Sequence, residues 1–421
     1  MIADRCRLLL QVIRRRGLAQ QTQCVGRDEH CRAGIGKDRH PEWRSPEKGR
    51  QQDGALQAQG DGDVLPDIGQ GRPGQRQELG HADQSIGKNV ANGNVGLIAP
   101  NLIIRKDFEE VTIDGVKMVF QNTPDTEAPV EMNTYFPQWK AFWAAENVTG
   151  TIHNIYTPRG APVRNALNWS KHINVALYRF GRDAEVMFAS HSWPRWGNAR
   201  IQEVLRAQRD TYANLNNQSL HYANLGVTIN EIQNVYQLPQ SLWQQWPAHS
   251  YHGSEQHNSR AVINRFLGYW DGNPTTIAPL SPKDSAPLYV EMMGGADKIM
   301  AKGKDLVAGG QYLLATEILD KLVHAQPQNQ AAKDLLADAF EQLGYQKESP
   351  TLRNIFLQGA YELRNGLPAG TPPRSSGPDM VRAMSTENWL DFIGISAVRM
   401  SWHSRSSAWR SGPSGRPFMW R

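Results

Sequence analysis

The 421-residue chain carries 46 Lys and Arg against 41 Asp and Glu, a formal net charge of +5. That surplus is small for the length and interspersed with acids, so no nucleic-acid partner is expected; the length accommodates two or three domains with a sizeable core. Hydrophobic residues make up 39% and the longest apolar runs, at 6–13 and 95–104, are interrupted and too short to span a bilayer, which excludes a transmembrane helix there.

Residues 1–85 are rich in Arg, Gln, Gly and Asp, with Trp43 their one aromatic side chain. Such a composition buries too little apolar surface to offset chain entropy, so disorder is the expectation. The chain's three cysteines, Cys6, Cys24 and Cys31, are an odd number that cannot close a disulfide framework, and with His30 they match no tetrahedral zinc spacing. The apolar stretch LLLQVI is short and runs straight into Arg14, Arg15 and Arg16, so no secretory signal is expected and the compartment inferred is the cytoplasm.

From residue 94 the pattern changes to strands. VGLIAPNLII and EEVTIDGVKMVFQN, with an Asp-Gly turn at Asp114 and Gly115, read as a β-hairpin. Two helices are expected over 137–146 and 163–180, the second burying Leu167, Ile173, Val175, Ala176 and Leu177. In this region acids and an imidazole follow apolar runs: Glu127 after 116–122, Glu146 after 139–145 and His191 after 185–189. Carboxylates and imidazoles emerging just beyond buried elements suit a divalent metal held at a sheet edge. Glu131 reads as a supporting or surface acid, and His153 and His172 as satisfied histidines.

Residues 198–234 read as helical, ending on Gly226, with Thr228 and Glu231 as a capping box for the next helix. His249, His252 and His257 follow in an aromatic-rich stretch, where spacings of three and five on irregular chain make a joint metal site a weak reading. Trp193, Trp196, Trp243, Trp246, Tyr269 and Trp270 fit an apolar channel or core packing equally well. Residues 303–366 pattern as paired amphipathic helices of tetratricopeptide type, 367–378 as a Pro, Gly and Ser linker, and 398–421 as an aperiodic tail.

The phrases TEAPVEM, AEN, HNIYTPRGAPVRNALNWSKHIN and SHSWPRWGN, within roughly residues 85–397, resemble the metal-dependent alkylsulfatases that hydrolyse dodecyl sulfate, members of the metallo-β-lactamase superfamily. The resemblance implies an α/β plus α protein: the second half of an αββα sandwich over 86–200, a helical dimerisation region over 201–366, and the start of a sterol-carrier-like (SCP2-like) domain over 379–397. It implies Glu127, Glu146 and His191 as ligands in a site for two zinc ions, Asn154 and Arg159 as the sulfate-holding pair, and His252 as proton donor to the leaving alkoxide. It also implies a homodimer through the helical region and an alkyl sulfate substrate. Relatives are often periplasmic. Where the family reads AVYxRYLGW, this chain has Ile263 and Phe266 and so lacks two hydroxyls. The family's His-x-His-x-Asp-His loop, source of most metal ligands, has no counterpart in these 421 residues. The expectations are therefore a replaced or frame-shifted first segment and little or no sulfatase activity, with a non-enzymatic helical interaction module as the alternative.

Overall fold

The computed structural model describes residues 98, 100–158, 161–367 and 378–401. Expectations for residues 1–85, for the linker and for the tail beyond 401 fall on residues outside that set. Strands β1 (Phe108–Ile113) and β2 (Val116–Asn122) form the expected hairpin, Ile113 facing Val116 across the turn, whereas residues 100–104 of the VGLIAPNLII stretch expected as strand form none. Asp114 and Gly115 take φ of 50° and 76°, the left-handed backbone that a two-residue hairpin turn requires and Asp-Gly tolerates.

The sheet continues through β3 (Met132–Phe136), β4 (Ala141–Trp143), β5 (Val186–Phe188) and β6 (Arg195–Trp196), in an order that follows the chain. Neighbours are antiparallel except β4 and β5. A parallel pair needs a crossover, and helix α1 (Ala166–Arg179) lies within it. The helix expected over 137–146 is not formed. Pro137–Trp139 makes one 3-10 turn, Lys140 takes φ 46°, and the chain re-enters the sheet with Phe142 opposite Tyr135 and Trp143 opposite Phe188. A short apolar run is ambiguous between helix and strand, and here the aromatic side chains pack across strands.

One face of the sheet buries Val119, Tyr135, Phe142 and Met187 against Trp169, Ile173, Ala176 and Leu177 of α1. Val175, expected inside, is exposed, since it falls between the inward-facing Ile173 and Ala176. Met118, Phe120, Met132, Phe136, Ala141 and Val186 form a second cluster with Ile104, the alternation expected of strands buried on both sides.

Helix α2 (Asn198–Asn224) packs on α1 and ends before Gly226, whose φ of 90° suits the expected terminating glycine. Glu231 Oε2 accepts from Thr228 N at 2.9 Å, as in a capping box, yet the helix that follows, α3 (Ile232–Val235), is a single turn. Helices α4 (Gln240–Trp243) and α5 (Glu255–Leu267) complete this part.

Helices α6 (Pro282–Met292), α7 (Ala296–Ala308), α8 (Tyr312–Ala325) and α9 (Gln330–Tyr345) share a separate core of Val290, Ile299, Leu306, Ala315, Leu319, Leu322, Leu336 and Ala339. Helix α10 (Pro350–Asn365) packs on α9. Gly303 lets α7 and α8 approach, because a Cβ there would meet Leu319 Cδ2 at 2.9 Å. The opening helix that the resemblance implies over 378–395 is two, α11 (Pro378–Ala383) and α12 (Thr386–Ser401), and α12 runs on into the expected aperiodic tail, where 398–401 are helical. No helix among the described residues is long and apolar enough to cross a membrane.

Candidate metal centre

The loops that leave β2, β4 and β5 converge where the segment 152–155 meets α5. Glu127 follows β2, Glu146 follows β4 through Ala145 at φ 48°, and His191 follows β5 with φ 62°. Left-handed backbone at non-glycine residues is costly and collects at functional sites, and here it occurs at His191 and directly before Glu146. Glu127 and Glu146 are 2% and 4% exposed. Glu146 Oε1 lies 2.7 Å from His191 Nε2, and its Oε2 lies 3.4 Å from His153 Nε2.

His153 is buried, and several elements fix its position. Its N donates to the Tyr212 hydroxyl of α2 at 2.9 Å, and its O accepts from Asn258 Nδ2 of α5 at 3.0 Å. A parallel bridge from Ile152 to Ser250, together with Gly253 N on Ile152 O at 2.8 Å, brings the His252 loop alongside. The His252 ring then lies 4.3 Å from both the His153 and the His191 rings. Burial holds the His153 imidazole below its ordinary titration range, although the nearby Glu146 opposes that shift.

Ligand atoms fall into two groups, each within 4.8 Å: Glu127, Glu146 and His153, and His153, His191 and His252. Glu127 Oε2 and His153 Nε2 are buried without a hydrogen-bond partner. Buried acceptors left unpaired cost about 1–3 kcal/mol each, and a divalent cation would satisfy both. The residues present therefore fit a metal.

Of the three expected ligands, Glu127 and Glu146 share a group with His153, while His191 groups with His153 and His252 and touches Glu146. Asn154 adjoins them, but its Oδ1 already accepts from Thr157 Oγ1 and Arg164 Nη1, so donation to an oxyanion would fall to its Nδ2. Arg159 lies outside the described residues. His249 bonds to Glu348 and His257 to the Tyr156 carbonyl, which separates both from His252 and leaves no joint site among those three. Glu131 is buried and caps the backbone N of Met132.

Sequence reasoning missed two residues. The sequence presents His153 as a satisfied histidine, whereas its Nε2 lies 3.4 Å from Glu146 Oε2; only its place between Ile152 and Ile155, both fully buried, hints at an inward position. Arg164, 6% exposed, donates Nη2 to Glu127 Oε1 at 2.7 Å and Nη1 to the Asn154 carbonyl at 3.0 Å. It had no signal beyond its place before α1. The aromatic set Trp193, Trp196, Trp243, Trp246, Tyr269 and Trp270 is exposed throughout, so core packing does not explain it.

A mixed sheet backed by helices, with acids and imidazoles gathered beyond its strand ends, defines a class of protein equipped to hold a divalent cation in a largely buried cluster. Residues 228–366 match the family model described as alkyl sulfatase dimerisation. A linear primary-alkylsulfatase of Pseudomonas sp. is 42% identical over 334 residues, 79% of this chain and 48% of the relative. The alkyl/aryl-sulfatase BDS1 of Saccharomyces cerevisiae is 42% identical over 317 residues, 75% and 49% of the two chains. The solved stereoselective inverting sec-alkylsulfatase Pisa1 from Pseudomonas sp. superposes with a TM-score of 0.68 at 40% identity, over 71% of this chain and 47% of that one. The chain belongs to the alkylsulfatase family. It spans about half the length of the curated relatives it matches.

Proposed function

We propose that this chain carries the glutamate and histidine part of an alkylsulfatase metal centre, directed at linear alkyl sulfate esters such as dodecyl sulfate, together with a helical homodimerisation region. The observation that supports the reading best is the convergence of Glu127, Glu146 and His153 around two buried acceptors without partners. The sheet then corresponds to the second half of a metallo-β-lactamase sandwich over 86–200, the helices of 201–366 to the dimerisation region, and α11 and α12 to the start of an SCP2-like domain. Zinc is the expected metal, because its preferred ligands are imidazole and carboxylate. When bound, it supplies a Lewis acid that activates water and polarises the ester.

The chain's own residues do the rest. Arg164 holds Glu127 by one oxygen and turns the other into the cluster. His191 holds Glu146. Asn154 and Arg159 receive the sulfate, the guanidinium fork suiting an oxyanion. His252, partly exposed beside the cluster, passes a proton to the leaving alkoxide. Without the His-x-His-x-Asp-His ligands, turnover by this chain alone is expected to be slight.

A second reading, a non-enzymatic helical pairing module, is favoured by the absence of that string from the sequence. Zinc binding to the metal-free chain, followed by equilibrium dialysis, separates the two. Saturable zinc uptake that Glu146→Gln weakens at least about 100-fold, with measurable dodecyl sulfate hydrolysis, supports the metal centre. A dimer indifferent to zinc supports the pairing module.

A further inference from the structure

His252 stands on no regular element. It lies between the 3-10 turn Trp246–Ala248 and α5, so the contacts that fix its backbone also fix its imidazole. One side of this loop is held by the segment that carries His153: Ile152 N donates to His249 O at 3.1 Å, and Gly253 N to Ile152 O at 2.8 Å. The other side is held from the helical region. Ser349 Oγ donates to the Tyr251 carbonyl at 2.8 Å, and Thr351 Oγ1 to the His252 carbonyl at 3.0 Å. Beside them, His249 Nδ1 lies 2.8 Å from Glu348 Oε1. The start of α10 thus grips residues 249–252 across 98 or 99 positions of sequence.

The residue types at this helix start serve the loop rather than the helix. Ser349 is the N-cap of α10 and Pro350 its first residue, yet the Ser349 side chain caps no backbone N–H of α10. A serine in that place ordinarily accepts such a bond; this one turns its hydroxyl to Tyr251. Thr351 is β-branched, a poorer helix former than an unbranched residue. Both side chains belong to residues only 2% and 5% exposed, where a hydroxyl without a partner is costly. Their oxygens are 2.8 Å apart, so two hydroxyl hydrogens serve three short contacts. When both point to the loop, both carbonyls are held; when one passes between the hydroxyls, one carbonyl is still held.

This grip sets the place of a ring. The His252 ring lies 4.3 Å from the rings of both His153 and His191, inclined by only 15° to the latter. A proton donor must stand within hydrogen-bond reach of its oxygen, and a misplacement of about 1 Å costs on the order of 100-fold in rate. Helix α10 packs on α9, so the hold comes from the helices and not from the sheet that carries the cluster.

We propose that Ser349 and Thr351 are positioning residues for His252: through the Tyr251 and His252 carbonyls, the start of α10 sets the imidazole beside the metal cluster. The helical region is then part of the framework of the site, besides any pairing it does. The proton-donor role of His252 rests on the functional reading above; the grip of α10 on its loop does not.

Nuclear magnetic resonance of the full chain, with histidine labelled at Cε1, tests the proposal, and His252→Gln identifies the His252 signal. Thr351→Val removes the donor at nearly constant volume. It is expected to move the His252 signal toward that of an unstacked histidine and to speed amide hydrogen exchange over 250–254 by about 3- to 10-fold, with α8 and α9 within about twofold. Ser349→Ala is expected to act in the same direction, while Thr351→Ser, which keeps the hydroxyl, retains the wild-type signal. An unmoved His252 signal in both Thr351→Val and Ser349→Ala, or a shift that Thr351→Ser shares in full, would overturn the proposal. Should Thr351→Val also loosen α8 and α9, Ser349→Ala decides by the same signal. Failure of the functional reading would show instead as no zinc uptake by the wild-type chain, a measurement in which neither hydroxyl takes part.

Discussion

Gly253 sits where the His252 loop crosses the segment carrying His153, and it tolerates no side chain. A Cβ there would meet the His153 carbonyl oxygen at 2.4 Å and Asn154 N at 2.8 Å, both backbone atoms that cannot swing aside. Gly253→Ala is expected to cost about 1–3 kcal/mol in chemical denaturation, the range of overpacked cores, and to weaken zinc binding together with stability. Unchanged stability would show that the two segments are not held this closely. Glu127, Glu146, His191 and His252 are the residues that the family resemblance singles out, and the fold brings His191 within 2.7 Å of Glu146 and the His252 ring within 4.3 Å of His191. His153 and Arg164 are not legible there, because their part depends on what the fold brings near them: Asn154 for one, Glu127 for both through the shared cluster.

Helices α1 and α5 each carry a half-buried histidine. His172 in α1 and His257 in α5 are both held below their ordinary value of 6.5, in each case chiefly by burial; the Tyr156 carbonyl opposes the shift at His257, and Asp107 and Asp125 oppose it at His172. In the unfolded chain both titrate near 6.5, so below that pH the unfolded state takes up protons that the fold excludes. Their contribution to stability is complete above about pH 6.5 and falls as the pH drops toward the lowered folded values, by at most about 1.4 kcal/mol per group per pH unit. Denaturant titrations between pH 7.5 and 5, with approximate pH limits set by these groups, should show that decline, and His257→Gln should flatten it. A profile that His257→Gln leaves unaltered would count against the half-buried neutral imidazole. At this scale the hairpin and the long helix α2 were readable from turn chemistry and periodicity. The strand β4 was not, because three residues of apolar sequence carry no period, and only pairing with β3 and β5 makes them a strand.

For the molecule as a whole, the helical region forms the expected paired helices. Of its leucines, Leu306, Leu319, Leu322, Leu336 and Leu343 are buried within the chain itself, while Leu313 and Leu314 are exposed. The uncovered apolar surface of α6 and α8 is made by Leu288, Tyr289, Met292, Leu313 and Leu314, and large apolar side chains clustered on a surface favour a partner. Sedimentation of the full 47.2 kDa chain at micromolar concentration is expected to give a dimer that Leu313→Asp with Leu314→Asp dissociates. A folded chain that sediments only as a monomer would contradict pairing through this region.

The metal centre is the claim on which the functional reading stands, and anomalous diffraction at the zinc edge from crystals of the zinc-loaded chain examines it most directly. The expected result is anomalous density within the cluster formed by Glu127, Glu146, His153, His191 and His252. A peak only elsewhere, or no peak from a chain shown to be folded, would contradict it.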